Sequence, residues 1–331
     1  MTQGPEGTIP AQENPMKGIA RAFTVLKYFM LFTVISVTLA LTWLRWESGL
    51  PKDVWFSDRH GQIAAAVVEN SITQYGQQNQ SVQLESNSGL RVSFRVIRNA
   101  QVAAPQPVMM VLGGHRTGSG AVDLFGDVGS RVIVGIDYPY DGPQKVQGVT
   151  SALRAIPSAR QAVLDTVPAV SLILDWLVTQ EWVDQDKIIV IGASLGVPFA
   201  ATAAARDERI AGLMLVHGAA DNRRWLEVQV ARRVDSEISH YPLATVLYWL
   251  AYGPVFDTKK YVAMLSPRPL LIVGARNDER TPGGETEVLF ANAREPKRLR
   301  FTEGRHIQPN RTEIIGELLK IADEELAFLT Q

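Results

Sequence analysis

The sequence predicts an α/β fold, a mainly parallel, doubly wound sheet with a helical lid insertion, preceded by one N-terminal transmembrane helix. Three observations carry this. Beyond about residue 85, continuous apolar runs of Val, Ile, Leu and Met alternate with helical stretches, the pattern of strands buried on both faces. A charge-free apolar segment stands near the start of the chain. One aromatic-rich stretch, about 222–263, is too long for a single crossover.

Composition sets the outer limits. The chain has 331 residues, 46% hydrophobic and 20% charged, which suits one large domain plus an appendage. A net charge of -1 with no long basic tract argues against nucleic acid as a partner. The absence of cysteine excludes a disulfide framework and a thiolate metal site.

The first element is the apolar segment. From Tyr28 to Leu44 no charge occurs, while Lys17, Arg21 and Lys27 precede it and Arg45 follows. At ~1.5 Å per residue, such a helix nearly spans a ~30 Å hydrocarbon core. Tyr28, Trp43 and Trp46 stand near its ends, where aromatic side chains favour the interface. The run exceeds a signal peptide's usual apolar region, and "LTWLRWESG" offers no small-x-small cleavage site. The expectation is an uncleaved anchor over 28–44. Its excess of preceding positive charge places residues 1–27 in the cytoplasm and the remainder outside, in a periplasm. A cleaved signal peptide and a buried or interfacial helix are the competing readings.

Residues 45–84 read as a polar connecting segment, with one short helix at "DRHGQIAAAVVENSITQY". The domain proper is expected over 85–331. "LRVSFRVIR" alternates and predicts an antiparallel strand. "PVMMVLGG" and "RVIVGIDYP" predict two buried strands, and Ser158 to Thr179 a long helix. "DKIIVIGAS" predicts a third buried strand, followed by the small-residue helix "LGVPFAATAAAR". "RIAGLMLVHGAAD", "RPLLIVGARND" and "KRLRFTEGRH" predict the remaining strands, and Arg311 to Leu329 a closing amphipathic helix. In such sheets ligands sit beyond the carboxyl ends of the strands, so chemistry is sought just after each one.

There the chain carries Gly192-Ala193-Ser194-Leu195-Gly196, between an Ile/Val strand and a small-residue helix. A serine held on so sharp a turn needs unbulky residues two before and two after it, which glycine supplies. Its hydroxyl needs a base. Of the five histidines, only His306 follows the last strand. The imidazole in turn needs an acid. Asp278 follows the penultimate strand and is favoured; Asp221, after the strand before, is the rival, and Glu279 is the other neighbour.

With "GASLG", "NDERTP" and "GRH" in this order and placement, residues 85–331 resemble the α/β-hydrolase superfamily. The resemblance implies a catalytic Ser194, His306 and Asp278. It also implies an oxyanion hole from the backbone N–H of Leu195 and, in the loop "VLGGHRTGSG", that of Gly114 or His115. Many relatives have His-Gly where this chain has Leu112-Gly113. Asp137 and Tyr138 in "DYPYDG" line the pocket or cap a turn, the turn being favoured. The expected function is a membrane-anchored serine hydrolase that cleaves small carboxylic esters through an acyl-enzyme, with no cofactor and no metal. A thioesterase, acyltransferase or peptidase of the same fold is the alternative, as is a non-catalytic binding protein on a hydrolase scaffold. A peptidase relative usually carries a large extra domain, for which the residues before 85 leave little room.

Overall fold

A computed structural model describes residues 15–114, 117–143, 145 and 147–331. It divides into two compact units, Met1–Glu47 and Ser48–Gln331. The first is built on helix α1 (Pro15–Ser48), whose stretch Phe23–Ser48 is long and apolar enough to cross a membrane. Thr33, Thr38 and Thr42 each donate their hydroxyl to the carbonyl four residues back, at 2.8–2.9 Å. Their polar groups are thereby satisfied within the helix itself. The first fourteen residues of the expected cytoplasmic tail lie outside the described residues.

The second unit is one nine-stranded sheet in the order β1-β2-β3-β5-β4-β6-β7-β8-β9. Its strands are β1 (Ile63–Ile72), β2 (Gln78–Ser86), β3 (Arg91–Arg98), β4 (Gln106–Leu112), β5 (Val132–Ile136), β6 (Val183–Ala193), β7 (Gly212–Val216), β8 (Leu270–Ala275) and β9 (Lys297–Thr302). The pairs β1–β2, β2–β3 and β3–β5 are antiparallel, and all others parallel. Strand order reverses around β4, which opens the crevice where such sheets bind ligands.

Period-two alternation sorts the apolar runs onto two faces. Val108, Met110, Leu112, Ile188, Val190, Leu213, Leu215, Leu270 and Ile272 face one core, with α3 (Gly148–Leu177) and α4 (Val197–Arg206). Met109, Val111, Ile189, Ile191, Met214, Val216, Leu271 and Val273 face the other. That face is closed by α9 (Thr312–Glu324), whose Ile314, Ile315, Leu318, Ile321 and Ala322 form one stripe at helical spacing.

The region before residue 85 departs from expectation. The helix there is α2 (Asp53–His60), and residues 63–86 are β1 and β2 rather than a helix and a polar connection. "IAAAVVENSI" favours a helix by local propensity. Pairing along β2, from Ile72 opposite Gln78 to Ala65 opposite Glu85, overrides it. Thr73 N–H donates to the Gln77 carbonyl at 2.9 Å and closes the hairpin turn. The closing helix ends at Glu324, earlier than expected. The insertion is three helices, α5 (Asn222–Ala231), α6 (Glu237–Leu250) and α7 (Thr258–Met264).

A buried ion pair fastens α2 to the domain. Asp165 on α3 is 2% exposed and accepts two hydrogen bonds from Arg59, at 2.9 and 2.8 Å. Removing the guanidinium leaves a buried carboxylate with, among the described residues, only Gln161 to answer it. Arg59→Met is therefore expected to cost about 3 kcal/mol, seen as a lower urea midpoint, and the double change with Asp165→Leu to recover most of that. An unshifted midpoint in Arg59→Met would refute this role.

Candidate active site

The site is assembled at the carboxyl edge of the sheet, on the loops after β4, β6, β7, β8 and β9. Its geometry starts from the turn between β6 and α4. Ser194 adopts φ +54, a left-handed conformation that costs a non-glycine residue energy. The turn closes because its flanking glycines have no Cβ. A Cβ on Gly196 would stand 1.9 Å from the Leu112 carbonyl oxygen, and one on Gly192 2.6 Å from the Ala200 Cβ. The Ser194 side chain thus stands clear of both elements.

The structure brings Ser194, His306 and Asp278 into one hydrogen-bonded line. His306 Nε2 lies 2.8 Å from Ser194 Oγ, and His306 Nδ1 lies 3.0 and 2.9 Å from the two Asp278 oxygens. Asp278 Oδ1 also accepts the backbone N–H groups of Arg280 and Thr281, both at 2.8 Å. Burial raises the Asp278 carboxyl, but the His306 hydrogen bond and charge and the two amides outweigh it and hold the group below its usual value. With the carboxylate on Nδ1, the neutral ring carries its proton there, and Nε2 is free to accept from the serine.

The rival acids have other employment. Asp221 caps α5, accepting from the Arg223 and Arg224 N–H groups at 2.9 and 3.1 Å. Its place directly before a helix is an N-cap signal readable from sequence. Glu279 accepts the His306 N–H at 3.0 Å and pairs with Arg311 at 2.8 Å. Burial raises its carboxyl, yet Arg311 and the His306 amide hold it down at about 2.

His217, directly after β7, sits against the site. Its ring centroid is 5.7 Å from that of His306. Its Nδ1 accepts the Ile307 N–H at 2.8 Å, so the proton is on Nε2, 3.0 Å from Thr302 Oγ1. Burial first, then the charge of His306, push its pKa down to about 4. His217, Asp278 and His306 place possible ligand atoms within 4.8 Å of one another. The imidazole nitrogens of both histidines are already hydrogen-bonded, those of His217 to Ile307 and Thr302 and those of His306 to Asp278 and Ser194.

Tyr138, just after β5, is half-buried and donates its hydroxyl to the carbonyl of Gly113 on the β4 loop at 2.7 Å, which anchors the backbone leading to Gly114. Asp137 accepts the Ser119 N–H at 2.7 Å. Both act on the loop, in keeping with the favoured turn reading. His115, the other candidate donor, lies outside the described residues.

Two unlike spaces meet at Ser194. An apolar pocket is lined by Leu195, Phe199, Trp225, Leu226, Tyr248 and Phe256, largely from the insertion. Burial pushes the Tyr248 phenol up to about 12, so its hydroxyl stays neutral. A wider and more polar cleft carries Gly114, Thr117, His306, Gln308 and two arginines. Sequence reading named neither Arg233 nor Arg280.

The model of the prolyl oligopeptidase family matches residues 164–313, a span that contains Ser194, Asp278 and His306. No curated protein matches the chain by sequence. Among solved structures, an acetyl xylan esterase from Paenibacillus sp. R4 superposes with a TM-score of 0.57 at 17% identity, covering 81% of this chain and 93% of that one. Acetyl xylan esterase 1 from Thermoanaerobacterium sp. JW/SL YS485 gives 0.56 at 16%, covering 84% and 97%. A glucuronoyl esterase from Solibacter usitatus gives 0.51 at 16%, covering 81% and 90%. These likenesses establish the fold.

His217 carries a pH consequence. Its folded pKa of about 4 lies below the ordinary 6.5, so the fold favours the neutral ring. The stability this brings is complete above about pH 6.5 and is lost as pH falls toward 4. The melting temperature is expected to decline through that window, and less steeply in His217→Asn, which keeps an acceptor for Ile307 and tolerates the local φ of +51. Equal slopes in both proteins would contradict the assignment.

Proposed function

We propose that this chain, a member of the α/β-hydrolase superfamily, is a membrane-anchored serine hydrolase that cleaves carboxylic esters. The observation that carries the reading is the Ser194–His306–Asp278 line, with the serine raised on a left-handed turn. His306 takes the Ser194 proton as the oxygen bonds to the acyl carbon. Asp278 holds the ring orientation and stabilises the imidazolium. The backbone N–H groups of Leu195 and Gly114 receive the oxyanion, a contribution of about 3–4 kcal/mol per donor in sites of this kind. His306 then protonates the departing alkoxide, and water repeats the sequence to free the acid. The apolar pocket takes the acyl group.

An ester is favoured over other acyl compounds by the similarity to proteins named acetyl xylan and glucuronoyl esterases. A peptidase is the second reading, on the match to the prolyl oligopeptidase family. Detergent-solubilised full-length protein should label with a fluorophosphonate and hydrolyse short acyl esters. Ser194→Ala should abolish labelling and lower kcat by at least about 10⁴-fold. Labelling that survives Ser194→Ala removes the mechanism, and faster cleavage of peptides than of esters selects the second reading.

The anchor is the apolar segment 28–44 of α1, with the preceding charges Lys17, Arg21 and Lys27 on the cytoplasmic side and the catalytic unit outside. The protein is then expected to remain in carbonate-washed membranes at its full mass and to be digested by protease added to intact spheroplasts. Release of a shorter soluble form would indicate a cleaved signal peptide, and protection from protease would reverse the orientation.

A further inference from the structure

The two spaces beside Ser194 differ in charge as well as polarity. His306 borders the polar cleft and not the apolar pocket. In the proposed reaction His306 delivers the proton to the leaving oxygen, so the alcohol portion of the substrate lies in the polar cleft. Arg233 and Arg280 line that cleft, and no Asp or Glu does among the described residues.

The two arginines are short of partners. Arg280 donates no side-chain hydrogen bond among the described residues, and its Nε is buried without an acceptor. Arg233 gives one donor to the Gln229 carbonyl at 2.8 Å. Glu279, the chain neighbour of Arg280, is occupied by Arg311, Arg305 and the His306 N–H. Burial lowers the pKa of Arg280, and the like charges of Arg232, Arg311 and Arg233 act in the same direction against Glu279. Positive charge gathered in a concave, partly desolvated wall concentrates anions there. A guanidinium fork with free donors fits a planar carboxylate.

We propose that the substrate is an ester whose alcohol portion carries a carboxylate, held by Arg280 with Arg233 at the leaving-group side of the site. This rests on the esterase reading and specifies its substrate class. Bond changes are those of ordinary acyl transfer. Ser194 Oγ bonds to the acyl carbon, the bond from that carbon to the alcohol oxygen breaks, and the serine proton passes through His306 to that oxygen. The released hydroxy acid keeps its carboxylate unchanged.

The test uses full-length protein in detergent and two matched substrates, the butanoyl esters of 3-hydroxybenzoate and of neutral 3-hydroxybenzamide. The anionic ester is expected to show a kcat/KM about ten-fold higher, mostly through KM. That preference should shrink in about 0.5 M salt. Arg280→Gln should bring the ratio close to one, and Arg233→Gln should lower it in part. Should Arg280→Gln fail to fold, Arg280→Lys and Arg233→Gln carry the test, each lowering the ratio. Turnover of both esters with no preference in the wild type overturns this inference alone, as does a preference that neither arginine variant moves. Turnover of neither ester, together with no fluorophosphonate labelling, overturns the esterase reading and this one with it.

Discussion

The constraint on which the rest depends is the left-handed turn at Ser194. A serine at φ +54 is unfavourable by itself and persists only where its surroundings allow no other path. Those surroundings are the buried strand β6, held between β4 and β7, and α4, whose alanines lie flat against the sheet. The glycines at 192 and 196 make that closeness possible, since a methyl at either would meet a neighbour well inside contact distance. The local cost at one residue is thus met by burial spread over two elements, and the hydroxyl is left standing at the sheet edge.

Around this turn the site is organised in layers. Asp278 is fixed by two amides of its own loop, and His306 is fixed by Asp278. His217 and Glu279 brace the His306 backbone and its successor from two sides, one through Ile307 N–H and one through His306 N–H. His217 and Glu279 are each held in one protonation state by their surroundings. His217 is held neutral and Glu279 ionised, so neither would compete with His306 for the proton that moves in the proposed reaction.

Much of this was legible from residues alone, for identifiable reasons. Strands buried on both faces are nearly continuous apolar runs, so β4 to β8 announce themselves, and the residues that end them can be ranked by their order along the chain. Ser194 and Asp278 stand just after two such strands, β6 and β8, and His306 after the last strand, β9. Illegible were features set by long-range pairing. β1 is an Ala-rich segment that becomes a strand because β2 lies beside it. Gln77 and Gln80 belong to a half-buried hairpin that a polar composition disguises. Arg233 and Arg280 come from the insertion and from the acid's loop, and no local pattern brings them to one wall. The distinction between Asp221 and Asp278 lay between the two, since a helix cap was there to be read.

The insertion is laced to the loop that carries Asp278. Gln229 donates to the Arg280 carbonyl at 2.9 Å, Arg232 reaches the Glu279 carbonyl at 3.3 Å, and Arg224 pairs with buried Glu285 at 2.6 Å. The same helix, α5, contributes Trp225 and Leu226 to the wall of the apolar pocket. Pocket wall and orienting carboxylate are therefore mechanically one piece. In the proposed reaction, an acyl chain bulky enough to push α5 outward would pull on the segment that aims the imidazole, and its penalty would fall on turnover together with affinity. Chain-length selectivity in the proposed esterase would then be a property of alignment as much as of room.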